Sequence, residues 1–119
     1  MHELAITCSI VDLVLEAADE RKVARVTLEI GKLAGVMPDA IAFCFPEVAK
    51  GTQLEDATLE IHEIDGLARC HLCGAEFSTP SMLTACACGS LQFVRLRGEE
   101  LNVKSIEIDE VSDVHEMRL

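Results

Sequence analysis

Four cysteines in two close pairs are the residues whose types and spacing most clearly predict chemistry in this sequence. Two residues separate Cys70 from Cys73, one separates Cys86 from Cys88, and twelve separate the two pairs. A glycine follows each pair, and glycine adopts the positive φ that tight turns often need. Two facing thiolate pairs supply the four soft ligands that tetrahedral Zn²⁺ prefers. The pattern therefore predicts a structural zinc site.

The second pair is shorter than the Cys-x-x-Cys that is usual in a zinc ribbon. Because one residue is missing between Cys86 and Cys88, the turn there must differ. His71, which lies between the first two cysteines, is a substitute for Cys86 as the fourth ligand. A disulfide pair, free core thiols and a four-cysteine iron site are further interpretations that the ligand types leave open.

The first three residues, Met1, His2 and Glu3, form a second group that could bind metal. The bulky His2 disfavours removal of Met1, so His2 should stay at position two. The α-amine titrates at about pH 8 and the imidazole at about 6.5, and the first amides of a helix lack intrahelical acceptors. Together these nitrogens form a planar set of the kind that Ni²⁺ or Cu²⁺ favours. A polar histidine on a loose terminus is the alternative interpretation.

Charge and hydropathy limit the kinds of partner and the cellular compartment that we expect for this protein. The net charge of −11, from 21 acidic and 10 basic residues, opposes binding to the phosphates of nucleic acid. No secretory signal opens the chain, and acidic residues from Glu16 onward interrupt the first apolar segment before it could span a bilayer. We therefore expect a cytoplasmic protein without nucleic-acid or membrane partners. Cys8 and Cys44, alone on apolar segments, are interpreted as small core residues.

Hydrophobic periodicity predicts the elements that position these residues. A long amphipathic helix runs from Leu4 to about Glu20. Its apolar stripe comprises Leu4, Cys8, Val11, Leu15 and Ala18, widened by Ile10, Val14 and Ala17. Alternation predicts three strands, and Pro38 and Gly51 mark the ends of a second helix that Pro46 should kink or break in two. The residues from Val111 onward are expected to fray. The three predicted strands are Val23 to Ile30, Thr58 to Ile64, where Leu59 and Ile61 should be buried, and Leu101 to Ile108, with a bulge between Val103 and Ile106.

The predicted fold class is α+β. A three-stranded sheet carries two helices on one face, and a small zinc-ribbon domain is inserted between two of the strands. The α/β domain comprises residues 1–65 and 99–119, and the zinc-binding domain comprises residues 66–98. The second domain is too short to bury an adequate core, so a metal should stabilise it.

The ordered set of motifs resembles the HypA/HybF family of nickel metallochaperones, which act in the maturation of NiFe-hydrogenase. The resemblance extends from Met1 to about Asp109, and the two unusual features, the shortened cysteine pair and Pro46, lie outside the amino-terminal motif. The motifs that carry it are Met1–Leu4, Leu28–Leu33, Lys50–Thr52, the two cysteine pairs and Val103–Ile108.

The resemblance implies a metal-delivery protein rather than an enzyme. Its nickel site would use the side chain of His2 and main-chain nitrogen of Met1 and Glu3. Its structural zinc would be bound by Cys70, Cys73 and Cys88, with Cys86 or His71 completing the set. The implied partners are the accessory GTPase HypB and the hydrogenase large subunit, and we expect a monomer or weak homodimer.

Two functions of other classes compete with this interpretation. The cysteine pairs, together with Arg69, Arg95 and Arg97, are also typical of a zinc-ribbon module that binds nucleic acid or protein without a nickel role. A four-cysteine iron protein would transfer electrons and would be coloured.

Overall fold

The structure, a computed structural model, describes residues 2–109 and 114–117 of the 119-residue chain. The chain forms two compact units: Met1–Glu29, Met37–His62 and Asn102–Leu119 make the first, and Ile30–Val36 and Glu63–Leu101 make the second. The described residues contain α1 (Glu3–Ala18), β1 (Val23–Gly31), α2 (Pro38–Ala49), β2 (Thr58–Ile64), β3 (Leu67–Cys70), β4 (Glu76–Ser78), β5 (Phe93–Arg97), β6 (Leu101–Asp109) and β7 (Val114–Met117), in that order.

Helix α1 forms where predicted, and it buries most of the predicted face, because Ile10, Val11, Val14 and Ala18 of the predicted stripe are buried. Leu4 and Cys8, both placed in the predicted stripe, are exposed. The helix is apolar on most sides, so its sequence pattern indicates a wider packed face than the structure has. Cys44 on α2 is half-buried, so the core prediction is wrong for Cys8 and only partly met for Cys44. The buried residues of α1 are Thr7, Ile10, Val11, Val14 and Ala18.

Helix α2 is a single helix despite its internal proline. Pro38 occupies the first turn, and Gly51 follows the helix with φ of 78°, as the sequence predicts. The prediction of two short pieces is wrong, because Pro46 lies inside one continuous helix. Pro46 and Ala42 are exposed, so water can reach the side of the helix where the proline leaves the Ala42 carbonyl without a donor.

The larger sheet has four strands in the order β2-β1-β6-β7, so it contains the three predicted strands and one more. The extra strand, β7, pairs antiparallel with β6, with Ile106 opposite Met117 and Asp109 opposite Val114. Fraying was predicted from Val111 to Leu119, and the structure instead describes a strand at Val114–Met117; residues 111–113 and 118–119 lie outside the described residues. The α+β class with two helices is confirmed.

Burial along the strands follows their place in the sheet. On the central strand β1, Val26, Leu28 and Ile30 are buried, as alternation predicts. Leu59 and Ile61 are only half-buried, contrary to prediction, because β2 is an edge strand with a neighbour on one side. On β6, Val103 and Ile106 are both buried although they are three positions apart, whereas strict alternation buries residues an even number of positions apart. The predicted change in the alternation is therefore observed. The bulge itself stays a prediction.

The other face of this sheet is polar. Arg25 on β1 lies 4.0 Å from the Glu60 carboxylate on β2 and 3.8 Å from that of Glu107 on β6. His62 Nε2 lies 2.9 Å from the Glu60 carboxylate, and this hydrogen bond lowers the pKa of Glu60. These side chains remain partly exposed, so the pairs contribute little to stability.

The smaller sheet, in the second unit, has the strand order β4-β3-β5. Strand β3 pairs antiparallel with both neighbours, so Ala68 faces Phe77 on one side and Arg95 on the other. The rings of Phe77 and Phe93 meet edge to face with centroids 5.3 Å apart. Strand β3 ends at Cys70, so this small sheet positions the first of the four paired cysteines.

One close backbone approach lies in the second unit. The amide of Gly31 donates to the carbonyl of Glu100 at 2.7 Å, and the amide of Leu33 donates to that of Gly98 at 2.7 Å. A Cβ atom at Gly31 would overlap the Gly98 carbonyl group. Only glycine therefore fits at the end of β1.

Candidate metal centre

The four paired cysteines form one cluster. Their Sγ atoms all lie within 4.8 Å of one another, with Cys70 3.6 Å from Cys88 and Cys73 3.5 Å from Cys86. These separations exceed the length of a disulfide bond, and all four are free thiols in the structure. Four sulfur donors around one point suit a soft or borderline cation such as Zn²⁺. The cluster therefore fits a metal site.

Backbone hydrogen bonds shape the first turn. The carbonyl of Cys70 accepts from the amide of Gly74 at 3.1 Å, and the amide of Cys70 donates to the carbonyl of Ala75 at 2.9 Å. Gly74 has φ of 74°, which glycine adopts without strain. The chain thereby folds back so that Cys73 faces Cys70.

The shortened second pair uses the same scheme with one residue fewer. The carbonyl of Cys86 accepts from the amide of Gly89 at 2.8 Å, and the amide of Cys86 donates to the carbonyl of Ser90 at 3.1 Å. Gly89 has φ of 90°. Each bond spans one residue less than its counterpart in the first turn, so the missing residue is absorbed without losing the bonds that close the turn.

His71 does not belong to the cluster. Its amide donates to the carbonyl of Gln92 at 2.9 Å, which continues the pairing of β3 with β5 by one residue. The residue is exposed, and the cluster found among the described residues is made of Cys70, Cys73, Cys86 and Cys88.

Two thiols of the cluster differ strongly in acidity. Backbone hydrogen bonds, from Cys73 first and also from Leu72, lower the pKa of Cys70 to about 6. The backbone of Cys88 lowers the pKa of Cys86, but burial and the neighbouring sulfurs outweigh that effect and raise it to about 12. Without a cation, the cluster thus favours a thiolate at Cys70 and a proton on Cys86. A bound divalent cation would stabilise both thiolates.

The predicted amino-terminal ligands lie at the start of α1. His2 is exposed and immediately precedes the helix, and its carbonyl accepts the amide of Ile6 at 3.0 Å. Glu3 is the first helical residue. Met1, the remaining predicted ligand, lies outside the described residues.

Two residues outside the predicted sites, Met37 and Thr7, hold Glu3 in place. The amide of Met37 donates to the Glu3 carboxylate at 3.2 Å, and this bond is the main cause of the lowered pKa of Glu3. The hydroxyl of Thr7 donates to the Glu3 carbonyl at 2.7 Å. A threonine four residues after Glu3 is a recognisable signal for such a bond. No local pattern predicts the contact with Met37, which is 34 residues away in sequence.

These features define a small two-unit α+β protein with a four-cysteine cluster that fits a metal site and a helix that begins at the third residue. The family model described as hydrogenase/urease nickel incorporation, metallochaperone, HypA matches residues 1–108. The chain belongs to this HypA family, and with it to the nickel metallochaperones of hydrogenase maturation.

Individual relatives agree with the family match. The hydrogenase maturation factor HypA of Nostoc sp. strain PCC 7120 is 53% identical over 111 residues, covering 93% of this chain and 98% of that protein. The protein of the same name from Geotalea uraniireducens is 46% identical over 110 residues, covering 92% of this chain and 100% of that protein. The family match does not favour the alternative of a zinc-ribbon module without a nickel role.

Solved structures share the fold. The solution structure of the nickel metallochaperone HypA from Helicobacter pylori superposes with a TM-score of 0.65 at 24% identity, covering 91% of this chain and 97% of that one. A second solution structure of a HypA protein gives a TM-score of 0.65 at 25% identity, covering 91% and 96%. Within the described residues, no helix is long and apolar enough to cross a membrane.

Proposed function

We propose that this chain binds Ni²⁺ as cargo at its amino terminus and Zn²⁺ as a resident structural metal in the cysteine cluster. The nickel ligands are the His2 imidazole and main-chain nitrogen of Met1 and Glu3. The observation that carries the nickel proposal is the position of His2, exposed and directly before the first turn of α1. Helix amides at that position need no intrahelical acceptor, so they are available to a metal.

The zinc ligands in this proposal are Cys70, Cys73, Cys86 and Cys88. Cys86 is chosen over His71 because its Sγ atom lies within the cluster, 3.5 Å from that of Cys73. Zinc has no redox chemistry and is suited to a closed four-ligand site, so it would hold the two turns together. The proposal assigns residues 66–98 to the zinc-binding domain and residues 1–65 and 99–119 to the nickel-binding α/β domain.

The proposed role is delivery without catalysis. Nickel held at an exposed terminus can be transferred to a receiving site, here that of the hydrogenase large subunit, with the accessory GTPase HypB as partner. The protein acts in the cytoplasm as a monomer or weak homodimer. A planar nitrogen set suits Ni²⁺ and not Zn²⁺, so the two sites would keep different metals.

Metal content and nickel titration of the untagged protein test both sites. The parent should hold one zinc and bind nickel tightly, and His2→Ala should keep its zinc but lose tight nickel binding. Cys86→Ser should lose zinc, whereas His71→Ala, its matched control, should keep it. Equal nickel binding by the parent and His2→Ala would refute the terminal site. If His71→Ala lost its zinc while Cys86→Ser kept it, the proposed ligand set would be refuted.

A further inference from the structure

We propose that the carboxylate of Glu3 is a positioning group for nickel. By accepting a hydrogen bond from the amide of Met37, it holds the first residue of α1 against the start of α2 and fixes the third residue of the chelate before metal binds. This inference rests on the proposed nickel site, and it adds a side-chain role to a residue whose proposed ligand is a main-chain nitrogen.

The contact joins two helix starts that are distant in sequence. Met37 is the N-cap residue of α2, and its amide lies 3.2 Å from Oε2 of Glu3. Neither helix start has a side-chain hydrogen bond from its own N-cap residue, His2 in α1 and Met37 in α2. The Glu3 carboxylate is therefore a polar link between the amino-terminal turn and α2.

A second bond fixes the main chain of the same residue. The hydroxyl of Thr7 donates to the Glu3 carbonyl at 2.7 Å, and Thr7 is fully buried, so its side chain has no freedom to turn to solvent. Glu3 is thus held through its carbonyl by α1 and through its carboxylate by α2. The peptide group before Glu3, which carries a proposed ligand nitrogen, is itself held through the His2 carbonyl, which accepts the amide of Ile6 at 3.0 Å, so all three bonds restrain the residue that supplies this nitrogen.

Restraint of this kind should increase affinity. A flexible chelate must lose conformational freedom when it closes around a metal, and any part already ordered does not add to that cost. A carboxylate near the site would also attract a cation through its charge, which is a different effect. The two effects separate experimentally, because glutamine keeps the hydrogen-bond acceptor and removes the charge.

The first test compares Glu3→Ala with Glu3→Gln in the untagged, zinc-loaded protein, with Ni²⁺ as the probe. Both variants lose the charge, so the difference between them reports the hydrogen bond. We expect Glu3→Ala to bind nickel about three- to tenfold more weakly than Glu3→Gln, which corresponds to the net effect of one hydrogen bond. The visible absorption of planar Ni²⁺ should be weaker for Glu3→Ala at equal total nickel. Equal affinities for the two variants would overturn the proposal.

The second test changes the donor and leaves every proposed ligand in place. Met37→Pro removes the amide hydrogen, and the parent φ of −89° lies only about 10° beyond the range that proline prefers, so a small backbone adjustment accommodates the ring. Met37→Ala keeps the amide and is the matched control. We expect Met37→Pro to weaken nickel binding by a similar factor and Met37→Ala to bind within about twofold of the parent. Equal weakening by both would implicate the thioether and overturn the proposal. If Met37→Pro does not fold, the Glu3 pair decides.

Failure of this inference is distinguishable from failure of the terminal nickel site. If His2→Ala loses nickel while Glu3→Ala and Glu3→Gln bind equally, the site stands and the positioning role is wrong. If the parent and His2→Ala bind nickel equally, both proposals are wrong. Zinc content and thermal unfolding of each variant identify any change caused by loss of the fold.

Discussion

The two buried thiols of the cluster, Cys70 and Cys86, have pKa values of about 6 and about 12 in the metal-free protein. At neutral pH the first is already a thiolate and the second still carries its proton. A metal must therefore displace the proton of Cys86, whereas Cys70 is ready to bind. Binding of the proposed zinc would consequently be linked to pH through identifiable residues.

We predict that zinc affinity rises with pH and that its slope changes at about pH 6. Above that value, binding releases at least the proton of Cys86. Below it, Cys70 is protonated as well, so the logarithm of the apparent association constant should fall by about one further unit per pH unit. Competition against a chelator between about pH 5 and 8 measures this, with Cys8→Ser, outside the cluster, as the control. An affinity independent of pH would contradict the prediction.

At the scale of the element, the end of β1 tolerates only a residue without a side chain. We predict that Gly31→Ala lowers the free energy of unfolding by on the order of 4 kcal/mol or more, because the added Cβ overlaps backbone atoms that cannot move aside. Gly51→Ala is the control: among the described residues other than its chain neighbours, no atom would lie within 4 Å of the added Cβ, so only the positive φ is strained, at about 1–2 kcal/mol. Denaturant unfolding compares them, and similar losses would refute the steric explanation.

The proline inside α2 leads to a stabilising substitution. Pro46 is exposed, so replacing it with alanine restores a backbone donor without disturbing the core. We predict that Pro46→Ala raises the free energy of unfolding by about 1–3 kcal/mol, given the large difference in helix propensity. Glu47→Ala, at the next exposed position, should change it by less than about 0.5 kcal/mol. An unchanged midpoint of denaturant unfolding for Pro46→Ala would mean that the proline does not destabilise the helix.

The sequence predicted most elements because their signals are local. Alternation located β2 at its observed bounds, and Pro38 and Gly51 marked the ends of α2. The buried face of α1 was predicted in the main, since Val11, Val14 and Ala18 are buried, but Leu4 and Cys8 are exposed because a helix that is apolar on several sides does not indicate how wide its packed face is. Strand β7 was missed because four residues carry too short a pattern, and its order comes from pairing with β6.

In the candidate sites too, features set by short sequence intervals were predictable, whereas features set by packing were not. Cysteine spacing identified the cluster, since a metal site needs its ligands at short, recognisable intervals. Spacing alone did not decide between Cys86 and His71, because that depends on how the backbone closes the shorter turn. The link between Glu3 and Met37 depends on the packing of α1 beside α2, and no spacing of residues in the sequence predicts that packing.

At the scale of the whole molecule, the net charge of −11 should affect nickel capture. A negative field raises the local concentration of cations, and salt screens it over about 10 Å at 0.1 M. We predict that nickel affinity falls several-fold between about 0.01 M and 0.5 M of a non-coordinating salt, whereas zinc content stays constant. The titrations of the untagged parent at each salt concentration measure this, and an unchanged nickel affinity would show that the field has no role.

The burial of the cluster is asymmetric: Cys70 and Cys86 are buried, whereas Cys73 and Cys88 are exposed. Alkylating reagents should therefore reach one cysteine of each pair first once the metal is removed, and the modified sulfurs could no longer bind zinc. A bound ion would occupy the lone pairs that such reagents attack. A bound metal would then protect its own ligands from alkylation. After a brief loss of zinc in the presence of electrophiles, the modified cluster could no longer bind the metal again.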